Sequence, residues 1–173
     1  MKFMSPIHIF VAAVLTLACI SDLRTRRIPN VLTFSAVAGA LLFHLVTGGL
    51  SAVGLSLAGC FLGALLFVPM FALRGMGGGD VKLLAAVGAW IGPSEVAMVA
   101  LAASVAGGAI AVVVALVHGY LKTAVQNLWI LLMHWRVMGV RPLHQVTLEG
   151  ARGPRLAYAI PISIGTLVTL WVK

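Results

Sequence analysis

Six apolar runs, broken by short polar or glycine- and proline-bearing connections, organise the chain. They cover about 7–21, 31–46, 51–73, 81–91, 96–117 and 156–172. Each reads as a membrane-spanning helix, because uninterrupted apolar stretches of this kind match the hydrocarbon core of a bilayer. The segments TGGL and GPSE join the second run to the third and the fourth to the fifth, and read as tight turns on one side. The fourth run is anomalous in length. About a dozen residues rising roughly 1.5 Å each reach only about 18 Å, against a hydrocarbon core of roughly 30 Å. Either neighbouring spans thin the bilayer there, or the glycine segment before it dips inward and carries Asp80 below the surface.

The stretch from Lys122 to Met138 has a different rhythm. Val125, Leu128, Trp129 and Leu132 follow the i, i+3, i+4, i+7 spacing of one helix face, while Gln126, Asn127, His134 and Arg136 interrupt the hydrophobicity. An apolar stripe on a polar helix, with two tryptophans, predicts a helix lying in the cytoplasmic interface, with a short extra span as the competing reading. Residues 139–155 read as a cytoplasmic loop. The expected fold is therefore all-α: a polytopic membrane protein of about six transmembrane helices plus a cytoplasmic interfacial helix. Residues 1–173 form a single integral-membrane domain, with the interfacial helix and loop at 119–155 inside it.

Composition sharpens this picture. The 173 residues are 61% hydrophobic and 9% charged, which excludes an ordinary soluble domain. The formal charge of +8 raises nucleic acid as a partner, but the basic residues lie between the apolar runs rather than in one groove-binding patch, so none is expected. Their placement fits topology instead. The connections after the first, third and fifth runs hold Arg24, Arg26, Arg27, Arg74, Lys82, Lys122, Arg136, Arg141, Arg152 and Arg155, leaving Lys2 and Lys173 on the other side. The positive-inside rule then makes those connections cytoplasmic and sets both termini outside. The N-terminal stretch has the look of a signal peptide, but it runs into SDLRTRR and reads as a retained first span. Cys19 and Cys60 stand alone inside apolar runs, with no CxxC spacing for a metal and no evident disulfide. His8, His44 and His118 fall at helix ends and read as interfacial.

Only four acidic residues exist: Asp22, Asp80, Glu95 and Glu149. Glu95 caps the outer start of the fifth span, where a helix N-terminus favours negative charge, and Glu149 lies in the hydrophilic loop. Asp22 and Asp80 remain, both at the inner ends of spans and on the same membrane face. Two aspartates that meet across helices share one proton, since neighbouring like charges cannot both ionise easily. One then serves as general base on a water while the other polarises a carbonyl, which is aspartic protease chemistry and needs no metal or cofactor. Two alternatives stay open at this point. The aspartates can pair with neighbouring basic residues at the interface, Asp80 with Lys82 or Arg74, or they can couple a carrier to proton or cation flux. A phosphate-cradling role for the glycines of GMGGGDVK is weaker, because the closing Gly-Lys-Ser/Thr of a P-loop is missing.

The residues around the two aspartates carry a resemblance. Gly77-Gly78-Gly79-Asp80 fits the GxGD pattern of intramembrane aspartyl proteases, and the continuation Val81-Lys82-Leu83 resembles GxGDxKL. Asp22 is followed by Arg26-Arg27-Ile28-Pro29-Asn30, similar to an active-site aspartate a few residues before I/L-P-N/D. Together with Ala159-Ile-Pro-Ile162 and the segment from Leu84 to Gly92, these motifs resemble the type IV prepilin peptidases. The resemblance implies Asp22 and Asp80 as the catalytic pair, supported by Gly77, Gly79, Lys82, Pro29 and Asn30, with no metal or cofactor. It implies hydrolysis between the basic leader and the apolar helix of prepilin or pseudopilin substrates, at the cytoplasmic face of a bacterial inner membrane. The larger relatives also N-methylate the new terminus and carry a cytoplasmic insert with paired CxxC motifs. No such insert separates the first two runs here, so the resemblance is to the compact CpaA/TadV-like form, which matures Flp-type pilins. The glycines are expected to let substrate backbone approach Asp80 and to permit unusual backbone angles.

Overall fold

A computed structural model describes residues 6–139 and 157–172. Within them the chain forms six α-helices: α1 (Pro6–Thr25), α2 (Asn30–Ala72), α3 (Gly78–Ile91), α4 (Pro93–Val117), α5 (Leu121–Met138) and α6 (Ala159–Trp171). Among the described residues there is no strand. The loop expected over 139–155 lies outside the described residues from 140 onward. α1, α2 and α4 are long and apolar enough to cross a membrane, and the architecture is that of an all-α membrane protein.

The second and third apolar runs appear as one helical element of 43 residues, broken at Gly49 (φ 67°, ψ −159°). Positive φ is open to glycine at little cost, and here it reverses the chain. The contacts with α3 show the reversal. His44 and Ser56, on opposite sides of Gly49, both reach the C-terminal end of α3: His44 Nε2 lies 3.3 Å from the Trp90 carbonyl, and Ser56 Oγ donates to the Ala89 carbonyl at 2.7 Å. Asn30 and Phe71, at the two extremes of α2, lie instead beside Lys82 and Gly78 at the start of α3. α2 is thus a hairpin whose limbs, 30–48 and 50–72, embrace α3.

α3 is the core of the molecule. Val81 and every residue from Leu83 to Trp90 are buried, whereas Val46, Leu50 and Val105 on the surrounding helices are 85%, 83% and 74% exposed. Such apolar surface is stable when the surrounding medium is lipid, which is as apolar as the side chains themselves. Contact at the centre is close because Gly59 of the 50–72 limb meets Gly88 of α3, and a Cβ on either would collide with the carbonyl oxygen of the other. Gly63, one turn on, faces the Leu84 carbonyl, so the small-xxx-small spacing of 59 and 63 marks a packing face. Trp90 closes the far end: its Nε1–H donates to the Ala36 carbonyl at 2.9 Å, and its ring lies 4.4 Å from that of Phe10 of α1.

α6 packs on α4 and α1, and α5 meets only α4 among the described elements. Val125, Leu128 and Trp129 form an exposed apolar stripe on α5. α4 packs Gly107 beneath the ring of Tyr158, the residue that precedes α6. It then continues through Val117, about 15 Å further at 1.5 Å per residue, with Val112, Val113, Leu116 and Val117 exposed.

Candidate active site

Asp22 is held where α1 ends. The Ser21 hydroxyl donates to the Arg27 carbonyl at 2.9 Å, and the Thr25 hydroxyl donates to the Ser21 carbonyl at 2.9 Å and to that of Arg27 at 3.2 Å. Arg26 takes a positive φ of 53°, and its N–H donates to the Asp22 carbonyl at 2.9 Å. These bonds fold 21–27 into a tight exit that redirects the chain into Ile28 and Pro29. The Asp22 side chain is 7% exposed. Its Oδ2 accepts a 3.2 Å hydrogen bond from the Ala159 N–H, in the first turn of α6. The N-terminal end of a helix carries partial positive charge that suits a carboxylate. Residues 137 positions apart are joined by this one bond.

Asp80 lies in the first turn of α3. Gly77 precedes the helix in an extended conformation (φ −77°, ψ 146°), and its carbonyl accepts the Asp80 N–H at 3.2 Å. The Asp80 carboxylate in turn accepts a hydrogen bond from the Gly77 backbone. The glycines correct one expectation. Gly77, Gly78 and Gly79 all avoid positive φ, the described positive-φ glycines being 49, 92, 119 and 139. They are small for want of room. A Cβ on Gly77 would stand 3.2 Å from Asp80 Oδ2, one on Gly78 3.3 Å from the Phe71 ring, and one on Gly79 3.2 Å from the Ile28 Cβ.

The last of these contacts brings the two sequence motifs together. Buried Ile28 packs on Gly79, and Pro29 caps α2. From the next residue, Asn30 Oδ1 accepts a 2.9 Å hydrogen bond from Lys82 Nζ, which also lies 5.7 Å from the centroid of the Phe34 ring. Lys82, one candidate ion partner for Asp80, is therefore turned toward α2. Asp22 and Asp80 line a single cavity of about 410 Å³, together with Arg26, Arg27, Pro29, Asn30 and Gly77–Gly79. The charge of Asp22 reaches Asp80 across this space. Asp22, Pro29, Asn30, Gly77, Gly79 and Asp80 thus line one cavity, with Lys82 bonded to Asn30 beside it. Among the described residues, no three His, Cys, Asp or Glu side chains come together as a metal site would require.

Two contributors escaped the sequence reading: the Ala159 amide and Tyr158. The Ala159-Ile-Pro-Ile162 segment was itself the available signal, though it named no role. Tyr158 stands edge-on to Phe67, with ring centroids 5.8 Å apart, and feels the charge of Asp80. With Asp80, Gly77 and Gly107 it also lines a second cavity of about 550 Å³, between α4 and the 50–72 limb of α2.

Known proteins share sequence with this chain. A family model described as the type IV leader peptidase family matches residues 9–112, more than half of the chain. A prepilin leader peptidase/N-methyltransferase of Aeromonas hydrophila is 37% identical over 93 residues, covering 50% of this chain and 32% of that protein. One of the same name from Burkholderia pseudomallei (strain 1026b) is 35% identical over 109 residues, covering 59% of this chain and 35% of that protein. The chain thus spans about a third of the length of the curated relatives it matches. No solved structure matches it. With its matched segment running from the first turns of α1 through most of α4, the chain belongs to the type IV leader peptidase family.

Proposed function

We propose that the protein is a prepilin leader peptidase that cleaves between the basic leader and the apolar helix of type IV, Flp-type prepilins or pseudopilins. The reading rests on one observation: Asp22 and Asp80, from α1 and α3, line one cavity and face each other's charge. With one proton between them, the ionised aspartate takes a proton from a water whose oxygen attacks the scissile carbonyl carbon. The protonated aspartate hydrogen-bonds the carbonyl oxygen as it gains charge. Collapse of the tetrahedral intermediate breaks the C–N bond. The leaving nitrogen takes a proton from the pair, giving a leader carboxylic acid and a new pilin amine.

The distribution of ten basic residues against two supports a cytoplasmic site in a bacterial inner membrane, with both termini outside and α5 along the cytoplasmic interface. The exposed apolar tail of α4 beyond Gly107 supports a site recessed below the membrane surface, the second of the two accounts of the short fourth span. The apolar packing of Leu83, Leu84 and Val87 beyond Asp80 favours a peptidase over a carrier, which would have to open that core to pass an ion.

The test is cleavage of a Flp-type prepilin in membranes containing wild type, Asp22→Asn or Asp80→Asn. Asn keeps size and polarity but cannot share the proton. Each variant is expected to lose at least about 100-fold in rate, the lower end of general acid–base contributions, at normal membrane levels. A variant that cleaves near the wild-type rate makes its aspartate a mere interfacial charge.

A further inference from the structure

The aspartate cavity has a neighbour of opposite character. Phe67 and Met70 form one wall of the second cavity, from the 50–72 limb of α2, and Ser104, Gly108 and Ala111 form the other, from α4. Ser104, Gly108 and Ala111 are exposed, and a Cβ placed on Gly108 would meet nothing within 4 Å. The wall is thus a row of small residues at i, i+4 and i+7, open on one side. Small residues in this pattern let a second helix approach closely in lipid, where packing rather than water exclusion drives association. Gly107, on the adjacent face, is buried under Tyr158 and belongs to the protein's own packing.

The groove adjoins the aspartate cavity. Gly77 and Asp80 line both spaces, the polar one with Asp22 and the apolar one with Phe67 and Ala111. A chain lying in the groove therefore meets Asp80 where its surroundings change from hydrocarbon to polar. A substrate that is an apolar helix on one side of its scissile bond and a polar leader on the other has that same change of character at that same point.

We infer that the groove between α4 and the 50–72 limb of α2 is the docking site for the substrate's apolar helix, seating the residues that follow the scissile bond. The inference rests on the peptidase reading. In this role Ser104, Gly108 and Ala111 are specificity determinants: they recognise the helix by shape and leave the chemistry to the aspartates. Tyr158, packed on Gly107 and Phe67 beside Asp80, fixes the floor where groove and cavity meet.

Two measurements test it. In the first, p-benzoylphenylalanine replaces Ala111 in an Asp80→Asn background, in membranes that also contain a Flp-type prepilin. Irradiation is expected to join it to the apolar helix of the prepilin. The same side chain at Val105, which lines a different face of α4, is expected to capture little. Equal capture at both positions, or none at Ala111, overturns the inference. In the second, Gly108→Leu is compared with wild type on the full prepilin and on a short peptide that spans the junction and lacks the helix. The ratio of prepilin to peptide cleavage is expected to fall at least tenfold, through KM. A ratio that stays constant, whether both rates hold or both fall together, overturns it. Failure of wild type to cleave either substrate refutes the peptidase reading, while the crosslink reports groove occupancy independently of cleavage.

Discussion

The hydrogen bond from Lys82 to Asn30 ties the opening turns of α3 to the first residue of α2, and its worth is measurable. The bond is 2.9 Å long and charge-assisted. Such bonds are worth roughly 1.5–3 kcal/mol when protected, and exposure of both partners reduces this one to about 1 kcal/mol. The ammonium also lies over the Phe34 ring, an exposed cation–π contact worth roughly 0.5 kcal/mol. Asn30→Ala removes the bond alone and is expected to raise the unfolding equilibrium constant about fivefold. Lys82→Met removes both contacts, about 1.5 kcal/mol in total, and is expected to raise it about tenfold. The double variant has no bond left to lose, so it should match Lys82→Met. Independent residues would instead multiply to about fiftyfold. The assay is a double-mutant cycle in equilibrium unfolding of the purified protein in detergent. A double variant that shows the full product of the single effects refutes the link between the two motifs.

Packing and pH supply further tests. Gly88→Leu forces a side chain against the Gly59 carbonyl and is expected to cost about 1–3 kcal/mol or more by overpacking. Gly54→Leu, at an exposed position with nothing within 4 Å, should change stability by less than about 0.5 kcal/mol; thermal unfolding of the two variants in detergent makes the comparison, and equal losses contradict the packing account. Prepilin cleavage should follow a bell-shaped pH profile. At low pH both aspartates are protonated and no base remains; at high pH both are ionised and none can donate to the carbonyl. A rate that climbs to a plateau at high pH, without a second limb, contradicts the shared proton.

The helices were legible because apolar runs and their interruptions are strong signals, and TGGL and GPSE both became turns at a glycine of positive φ, Gly49 and Gly92. The enclosure of α3 was not. Leu83 is fully buried and Leu101 is 66% exposed, yet both are leucines in apolar runs. Lipid and protein interior are alike in polarity, so hydropathy cannot separate the two surfaces. The helix start was read as Val81, whereas α3 begins at Gly78, because glycine is a poor helix former and its presence here answers to space. Asp22 and Asp80 stood out because carboxylates are scarce in this chain. Ala159 did not, since it contributes a backbone N–H that every residue but proline possesses.

The central position of α3 also governs how the protein is made. Its 14 residues rise about 21 Å, and Asp80 and Lys82 in its opening turns oppose partition into lipid. Such a segment is a poor insertion signal by itself. It becomes stable when the limbs of α2 offer Gly59, Gly63 and Asn30 as its lining, and when α4, one residue downstream, supplies a strongly apolar companion. The order of the chain meets this need, because both limbs of α2 leave the ribosome before α3 and α4 follows at once. The order of synthesis thus builds a berth before it is filled, and α6, made later, brings the Ala159 amide to Asp22.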